Sequence, residues 1–584
     1  MDNVNPSSAE CLASIKTGEA GQTPFSQTIV QLTQEELIQL KWEANYWKGQ
    51  YDLLKGKLEA LQQKLDSATA RIRDLKQRLF GEKSEKKAAK SDKAGSNTKP
   101  QPKPPRPRGQ QKGSQGHGRT ARPALPVIDE EHDLPPEDQR CPICAKAYKE
   151  LPETEDSQII EIEVKAHIRR IKRKKYAQTC HCTQAKGLIT APPAPRLIPK
   201  SGIGVSVWTE ILLNKFLLSR ALNNLCIDYN YRGLPIAPGT LTGGLKKITP
   251  LFAPLIEQLI KKQLTEDLFH NDETGWKVFK AIEGKTGYRW WLWVTQSQSV
   301  VHYTLAPSRS GDIPIEYFSA LDKHLEQVIV VCDRYKGYLR LAREIPVILL
   351  AFCWAHVRRD FLDAARSYPK LEAWMLDWVE MIGELYHLNK QRLQHWDETR
   401  PLAQQTPLFQ QHQQALERAI QRMAERRQQW LDKDNQSEGS ETSGELHPMQ
   451  RKVLNSLKTH WDGLIVFVDN PQVPMDNNTA ERRMRNPGMG RKNYYGSGSQ
   501  WSAKLAAAMF SLFQTVLLWG LNPHHWLYSY LDACANNGGQ PPADITPFIP
   551  WMMTEARQQQ LRQPLTMSAK QPATTPPPDR SKPP

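Results

Sequence analysis

The chain has 584 residues, which is too many for one compact core and predicts roughly three to five structural units. Its formal net charge of +16 and its pI near 9.3 predict a polyanionic partner, either nucleic acid or an anionic membrane. The sequence has neither an apolar run of about 18 residues nor a basic and apolar leader, and its nine cysteines do not suggest a disulfide framework. We therefore expect no membrane span, no signal peptide, and a reducing cytoplasm with nucleic acid as the partner.

Residues 32–80 are the first periodic segment, and they follow a polar segment, 1–31, that we expect to be disordered. Apolar residues recur there at alternating steps of three and four, with no proline inside. Because this repeat keeps one stripe facing a partner helix, it predicts a parallel homodimeric coiled coil. A long helix packed on its own domain is the alternative. The seam comprises Leu37, Leu40, Ala44, Trp47, Tyr51, Leu54, Leu58, Leu61, Leu65, Ala68, Ile72, Leu75 and Leu79.

Residues 81–126 are basic and rich in proline and glycine, with thirteen Lys or Arg against three acids between Arg78 and Arg122. Such a segment cannot bury enough apolar area to order itself, so it predicts a linker. The same charges can also hold DNA phosphates, because each phosphate contact releases condensed counterions.

Residues 127–197 contain two close cysteine pairs separated by two strand-like stretches. Four thiolates can close a tetrahedron around Zn²⁺, so the pattern predicts a zinc-ribbon-like domain with one structural ion. The second pair is tighter than C-x-x-C, so His181 or His167 could replace one ligand, and four reduced thiols without metal are the alternative. The predicted ligands are Cys141, Cys144, Cys180 and Cys182.

The segment before the second cysteine pair carries seven Lys or Arg between Lys165 and Lys175. We expect this basic face to contact DNA phosphates. The residues predicted to make this contact are Lys172, Arg173, Lys174 and Lys175.

Residues 198–263 have helical periodicity. A short helix, the turn GLPIAPG and a second helix opened by Thr240 resemble a helix-turn-helix, whose second helix enters the major groove. A plain helical linker between domains explains the pattern equally well.

From residue 264 the apolar period changes from that of a helix to that of a strand. The predicted order β-β-β-α-β-α-β-α is that of the RNase H-like fold, which we assign to residues 264–498. The fold class is therefore multidomain α/β, with the coiled coil and the zinc-ribbon-like domain before this core.

Two aspartates lie at matching heights on strands that are neighbours in that fold. Asp272 lies in the first strand and Asp333 ends the fourth. Two carboxylates side by side need a cation, and Mg²⁺ or Mn²⁺ prefers such oxygen ligands. Two ions about 3.5–4 Å apart can activate a water or a 3′-hydroxyl and stabilise the leaving oxygen. Glu481 offers a third carboxylate from a helix that Asn477 or Asn478 would cap.

The alternative for these acids is a solvated face, with Glu481 paired to Arg485 one turn on. Glu273 and Asp360 are the acids most easily mistaken for members of the site.

The 147 residues between Asp333 and Glu481 exceed what the core needs, and they predict a helical insertion over about 366–447. After Glu481, Arg491 and Lys492 lie among glycines and tyrosines, a pattern that lets the backbone approach DNA and its phosphates. We expect a C-terminal helical domain over 499–554 and a disordered tail over 555–584.

Five strings resemble, in order, the signature blocks of the IS66 family of bacterial insertion-sequence transposases: NDETGWKV, CDRYKGY, CWAHVRRDF, DNNTAERRMR and GRKNYYGS. Upstream, RLFGEKSEK, RGQQKGSQGHGR and LPVIDEEHDLP resemble that family's passage from leucine zipper to zinc-binding domain. The resemblance implies that Asp272, Asp333 and Glu481 are a metal-binding Asp-Asp-Glu triad. It also implies that Cys353 and His356 support the site, although a Cys in an apolar strand and a His at a helix start more often stabilise the fold than bind metal.

The resemblance further implies a transposase that binds the terminal inverted repeats of its element, cleaves 3′ ends and joins them to target DNA. The implied partners are double-stranded DNA, a second copy of the chain or a higher oligomer, and accessory proteins of the element, in the bacterial cytoplasm at the nucleoid. Two alternatives stay open: another RNase H-like nuclease, and a non-catalytic DNA-binding regulator or domesticated copy.

Overall fold

The computed structural model describes most of the chain in four long ranges and several short ones. These are residues 32–80, 188–281, 287–436 and 446–564, with short stretches between 135 and 177. The predicted N-terminal segment 1–31 and the basic linker 81–126 lie outside the described residues. The chain divides into two compact units, one of residues 1–93 with 366–370 and the other of residues 94–365 with 371–584.

The smaller unit contains helix α1 (Gln34–Phe80), which confirms the predicted helix. Thr33 and Glu36 begin it with reciprocal hydrogen bonds: the Thr33 N–H donates to Glu36 Oε2 at 2.8 Å, and the Glu36 N–H donates to Thr33 Oγ1 at 3.3 Å. The apolar seam is exposed along the helix, with Leu58 66% and Leu61 62% accessible. Pairing of two such helices stays a prediction.

The cysteine-rich region is described only in part. Strands β1 (Lys175–Ala177) and β2 (Leu188–Thr190) form an antiparallel pair, in which Tyr176 faces Ile189. Cys144 is exposed, whereas Cys141, Cys180, Cys182 and His181 lie outside the described residues. The predicted zinc site therefore stays a prediction.

The helical region before the sheet contains four α-helices: α2 (Val205–Leu212), α3 (Leu222–Tyr231), α4 (Pro238–Ile248) and α5 (Ala253–Gln263). A π-turn follows α2. Helix α4 begins at Pro238 rather than at Thr240. Proline suits the first helical position because its fixed φ fits a helix and its missing N–H would have no intrahelical partner.

The larger unit is built on a six-stranded mixed sheet. Its strands are β3 (Leu268–Val278), β4 (Arg289–Gln296), β5 (Val301–Ala306), β6 (Val328–Cys332), β7 (Ile348–Phe352) and β8 (Gly496–Ser497). The order is β5-β4-β3-β6-β7, with β8 pairing with β3. Strands β3, β4 and β5 are antiparallel, whereas β6 is parallel to both β3 and β7. Every residue of β6 is buried, as expected for a parallel strand covered on both faces.

Helices α6 (Asp312–Phe318), α7 (Lys336–Glu344) and α8 (Trp354–Ser367) alternate with the last strands. The predicted order β-β-β-α-β-α-β-α and the predicted pairing of the first and fourth strands are both confirmed.

The predicted insertion is helical, with α9 (Glu372–Leu393) packing against α10 (Pro407–Gln436). Two further helices that the sequence did not predict follow, α11 (Pro448–Thr459) and α12 (Trp461–Asp469), and α12 packs on β7. The buried Arg392 of α9 donates to the Phe467 and Val468 carbonyls at 2.8 and 2.6 Å. These bonds fix the insertion to the end of α12.

Four helices follow in the described residues up to 564: α13 (Asn478–Tyr494), α14 (Gln500–Leu518), α15 (Pro523–Asn536) and α16 (Glu555–Arg562). Helix α16 lies where the sequence predicted a disordered tail, because Leu561 is fully buried and Thr554 caps the helix. Helices α2–α5, α14 and α15 share one core with one face of the sheet, so residues 198–263 and 499–554 are packed together.

Helix α14 is the one helix in the described part of the chain that is long and apolar enough to cross a membrane. It is 67% buried inside the protein and packs on β5. These are the features of a core helix.

Candidate active site

Asp272 lies on β3, and Asp333 directly follows the neighbouring parallel strand β6. In the register of β3 and β6, His270 is paired with Val331, and the two aspartates each follow two residues later. Both are half-buried at the carboxyl ends of these paired segments. Asp272 Oδ1 accepts the Glu273 N–H at 2.8 Å, and Asp333 Oδ1 accepts the Tyr335 N–H at 2.9 Å. The parallel pairing therefore brings the two aspartates to one edge of the sheet.

Glu481 reaches the same edge from the first turn of α13. It faces His356 rather than Arg485, with His356 Nε2 3.7 Å from Glu481 Oε1. The three predicted acids are close enough that the charges of Asp333 and Glu481 both raise the pKa of Asp272.

The pKa of Asp272 is raised to about 7, first by burial and then by Glu273, with smaller contributions from Asp333 and Glu481. The hydrogen bond from the Glu273 N–H opposes this shift. Partly buried carboxylates that lie close together repel one another, and a cation relieves that repulsion. The donor set is all oxygen, which suits Mg²⁺ or Mn²⁺.

Glu273 has a different environment, although it is adjacent to Asp272. Its side chain is 1% exposed, accepts from Arg309 Nε at 2.9 Å and accepts from the Tyr338 hydroxyl at 2.8 Å. Burial and Asp333 raise its pKa, while these hydrogen bonds oppose the shift. Because Arg309 already neutralises it, Glu273 is an internal ion-pair partner. Asp360 is likewise paired, with Arg334.

Asn477 connects the elements that carry the acids, a role that no sequence pattern indicates. It stands at the N-cap position of α13, but its side chain makes no capping bond. It is 1% exposed, its Nδ2 donates to the Asn271 carbonyl at 2.6 Å, and its Oδ1 lies 3.3 Å from His270 Nδ1. Asn477 thus joins the helix of Glu481 to the strand of Asp272.

Cys353 and His356 lie beside the acids, at the start of α8. Cys353 is buried, and its sulfur accepts the Asn477 N–H at 3.2 Å. Burial raises the pKa of Cys353, and hydrogen bonds from the N–H groups of Asn477, His356 and Ala355 oppose this. Burial lowers the pKa of His356, and Glu481 opposes this. Both predicted supporting residues therefore adjoin the acids.

The residues predicted to contact DNA fall into two groups. The first is solvent-exposed on and before β1, as phosphate contacts require; it comprises Lys172, Arg173, Lys174 and Lys175. In the second, Lys492 is exposed, but Arg491 Nη1 donates to the Thr274 hydroxyl at 3.0 Å and the Gly275 carbonyl at 2.6 Å. Arg491 thereby ties α13 to β3.

The glycine-rich block after α13 also has an internal structural role. Tyr495 ends the helix in the left-handed conformation, and Gly496 follows with φ of 145°. A Cβ at Gly496 would lie 2.1 Å from the Lys277 carbonyl oxygen. This glycine is therefore needed for the close approach of β8 to β3.

Comparisons with known proteins agree with this architecture. The sequence model of a family described as "Transposase IS66 family" matches residues 200–505, a range that includes all three acids. Two relatives from Sinorhizobium fredii (strain NBRC 101917 / NGR234) are each described as an uncharacterized protein. One, y4hP, is 25% identical over 405 residues, covering 65% of this chain and 67% of the relative. The other, y4jD, is 23% identical over 431 residues, covering 72% and 79%.

Proposed function

The chain belongs to the IS66 family of transposases, and from this premise we propose that it cleaves and joins DNA with an Asp-Asp-Glu metal site. It would bind the terminal inverted repeats of its element, hydrolyse the 3′ ends and join the new 3′-hydroxyls to target DNA. No covalent intermediate between protein and DNA is needed for this chemistry.

One observation carries the proposal: Asp272 on β3 and Asp333 just after β6 each follow the parallel pairing of these strands by two residues, and Glu481 approaches them from a separate helix. The strand order and the alternating helices support an RNase H-like core. Three partly buried acids brought together from distant parts of the sequence are costly without a compensating cation, which favours a functional role over a solvated face.

We assign the carboxylates of Asp272, Asp333 and Glu481 as the ligands of two Mg²⁺ or Mn²⁺ ions. Such ions polarise a phosphoryl oxygen and activate a water or 3′-hydroxyl at neutral pH. The buried side chain of Asn477 holds Glu481 in reach of the aspartates. The ion pair with Arg309 leaves Glu273 outside the ligand set.

Other parts of the chain supply binding and assembly in this proposal. The exposed basic residues Lys172–Lys175 hold DNA phosphates, together with the basic linker. Pairing of α1 with a second copy brings two DNA ends into one complex. A structural Zn²⁺ on Cys141, Cys144, Cys180 and Cys182 folds the N-terminal DNA-binding part. We also propose accessory proteins of the element as partners and the bacterial nucleoid as the location.

The test is a strand-transfer assay with the full chain, a DNA fragment carrying the element ends, and Mg²⁺. Asp272→Asn, Asp333→Asn and Glu481→Gln should each abolish cleavage and joining while a gel shift shows DNA binding nearly unchanged. Loss of one member of such a unit costs almost as much as loss of all three. Asp267→Asn is the matched control, because Asp267 is exposed just before β3.

Retention of near-wild-type transfer by Asp333→Asn would show that the site is misassigned. DNA binding by the wild-type chain without any cleavage, under conditions that support related transposases, would favour a non-catalytic regulator.

A further inference from the structure

Cys353, His356 and Glu481 form a cluster whose chemistry differs from that of the three acids. One ligand atom from each lies within 4.8 Å of the other two. The set offers a sulfur, an imidazole nitrogen and one carboxylate oxygen. Mg²⁺ prefers an all-oxygen set, whereas Zn²⁺ and similar borderline-soft cations prefer thiolate and imidazole. Glu481 therefore belongs both to an all-oxygen ligand set that suits Mg²⁺ and to a mixed ligand set that suits Zn²⁺.

We propose that this cluster is a second metal site, which binds Zn²⁺ or a similar transition-metal ion and thereby draws Glu481 away from Asp272 and Asp333. Binding of the ion is independent of the proposed function. Its consequence, inhibition of DNA cleavage, rests on the proposed function, because only then is Glu481 needed beside the aspartates.

The unused imidazole nitrogen of His356 supports a ligand role. Its Nδ1 is buried and has no hydrogen-bond partner in the described part of the chain, while Nε2 faces Glu481. A buried polar atom without a partner is uncommon and calls for an explanation such as an ion. Because Nε2 faces Glu481, Nε2 is the nitrogen placed to share an ion with that carboxylate.

The three residues are held on elements that are bonded together. The Cys353 N–H donates to the Cys332 carbonyl at 3.1 Å, and the Trp354 N–H donates to the Met475 carbonyl at 2.8 Å. The Asn477 N–H reaches the Cys353 sulfur at 3.2 Å. These bonds fix the starts of α8 and α13 side by side, so the ligands are positioned before an ion arrives.

The cluster is also open to solvent on one side. Cys353 is 1% exposed, but the His356 and Glu481 side chains are 29% and 31% exposed. In a tetrahedral Zn²⁺ site, ligand atoms lie about 2.0–2.3 Å from the ion. Small rotations of the two half-exposed side chains would close the cluster to that size, with water in the fourth position. Binding would release the Cys353 thiol proton.

Metal content provides a direct test that does not depend on activity. The full chain and three variants are saturated with Zn²⁺, dialysed, and analysed for zinc per chain. Cys353→Ser and His356→Gln should each hold one zinc fewer than the wild type. Cys534→Ala is the matched control, since Cys534 is a buried thiol in α15, and it should hold as much zinc as the wild type. Any zinc on the N-terminal cysteines is common to all four proteins.

Equal zinc content in all four proteins would overturn the proposal. If Cys353→Ser fails to fold, as judged by circular dichroism, His356→Gln alone decides, because its side chain lies on the open side of the cluster. Co²⁺ gives a second readout: a thiolate-to-cobalt absorption band should be stronger in the wild type than in Cys353→Ser.

Inhibition is tested separately, by adding Zn²⁺ to strand-transfer reactions that contain excess Mg²⁺. Relative to its own zinc-free rate, His356→Gln should need at least about tenfold more Zn²⁺ for half-inhibition, since even the loss of a group that only supports a metal ligand typically costs 10–100-fold in affinity. Zinc bound to the wild type without inhibition would contradict the regulatory role. If the wild-type chain shows no transfer at all, the proposed function fails. The zinc content still tests the second metal site in that case.

Discussion

Removal of the Asn477 side chain tests whether it holds Glu481 beside the aspartates. Asn477→Ala deletes the 2.6 Å bond to the Asn271 carbonyl and the 3.3 Å contact with His270 Nδ1. Both partners are buried, and leaving a buried polar group unpaired costs about 1–3 kcal/mol. The two losses together should lower the free energy of unfolding of the larger unit by about 2–6 kcal/mol.

The activity of this variant should fall further than its DNA binding. A displacement of about 1 Å of a positioned group can cost about 100-fold in rate, so strand transfer should drop by that order while the gel shift stays nearly unchanged. Unfolding is followed by tryptophan fluorescence in urea. The matched control is Asn478→Ala, because Asn478 is the exposed neighbour on the same helix. A loss of stability below about 0.5 kcal/mol in Asn477→Ala, the range of ordinary surface changes, would refute the reasoning.

Three further predictions concern other parts of the chain. Leu58→Pro in α1 should break the helix, at about 3 kcal/mol or more, and convert a dimer into a monomer in analytical ultracentrifugation; a wild-type monomer at tens of micromolar would contradict the coiled coil. Burial lowers the pKa of Lys215 from 10.5 to about 8. Protonation of Lys215 in the unfolded chain therefore opposes folding below pH 10.5, and this destabilisation reaches its full size below pH 8. Stability should therefore rise between pH 8 and 10.5, and Lys215→Met should remove that rise in urea unfolding. Gly496→Ala should destabilise the chain by about 1–3 kcal/mol, whereas Gly498→Ala, with open space at its Cβ, should not.

The order of elements in the catalytic region could be predicted from the sequence because it depends on local periodicity. Strands β3 and β6 are bounded by clear turn residues, and pairing of the first and fourth strands follows from the fold type. The positions of Asp272 and Asp333 on those strands were predicted for the same reason. Local patterns also placed Glu481 in the first turn of its helix.

The connections between distant segments could not be predicted in this way. Asn477 looked like a helix cap, but its side chain is used by Asn271 and His270, which lie more than 200 residues earlier in the chain. Arg491 is predicted to contact DNA, and the sequence does not show that it also donates to the Thr274 hydroxyl and the Gly275 carbonyl. Tertiary packing decides which partners these side chains bind, and it leaves no periodic signal in a single sequence.

The shared packing of the two helical regions could not be predicted for a related reason. Residues 198–263 and 499–554 each have an apolar helical face, and the sequence cannot show that the two faces cover the same side of one sheet. Likewise, α16 has a polar composition, and the tertiary contact that buries its Leu561 cannot be seen in the sequence.

Crystals of the full chain with element-end DNA and Mn²⁺ would measure directly whether Asp272, Asp333 and Glu481 form one metal site. We expect anomalous scattering from manganese bound by oxygens of all three side chains, at about 2.0–2.2 Å. Manganese bound elsewhere, or three carboxylates that stay more than about 10 Å apart with DNA present, would contradict the assignment.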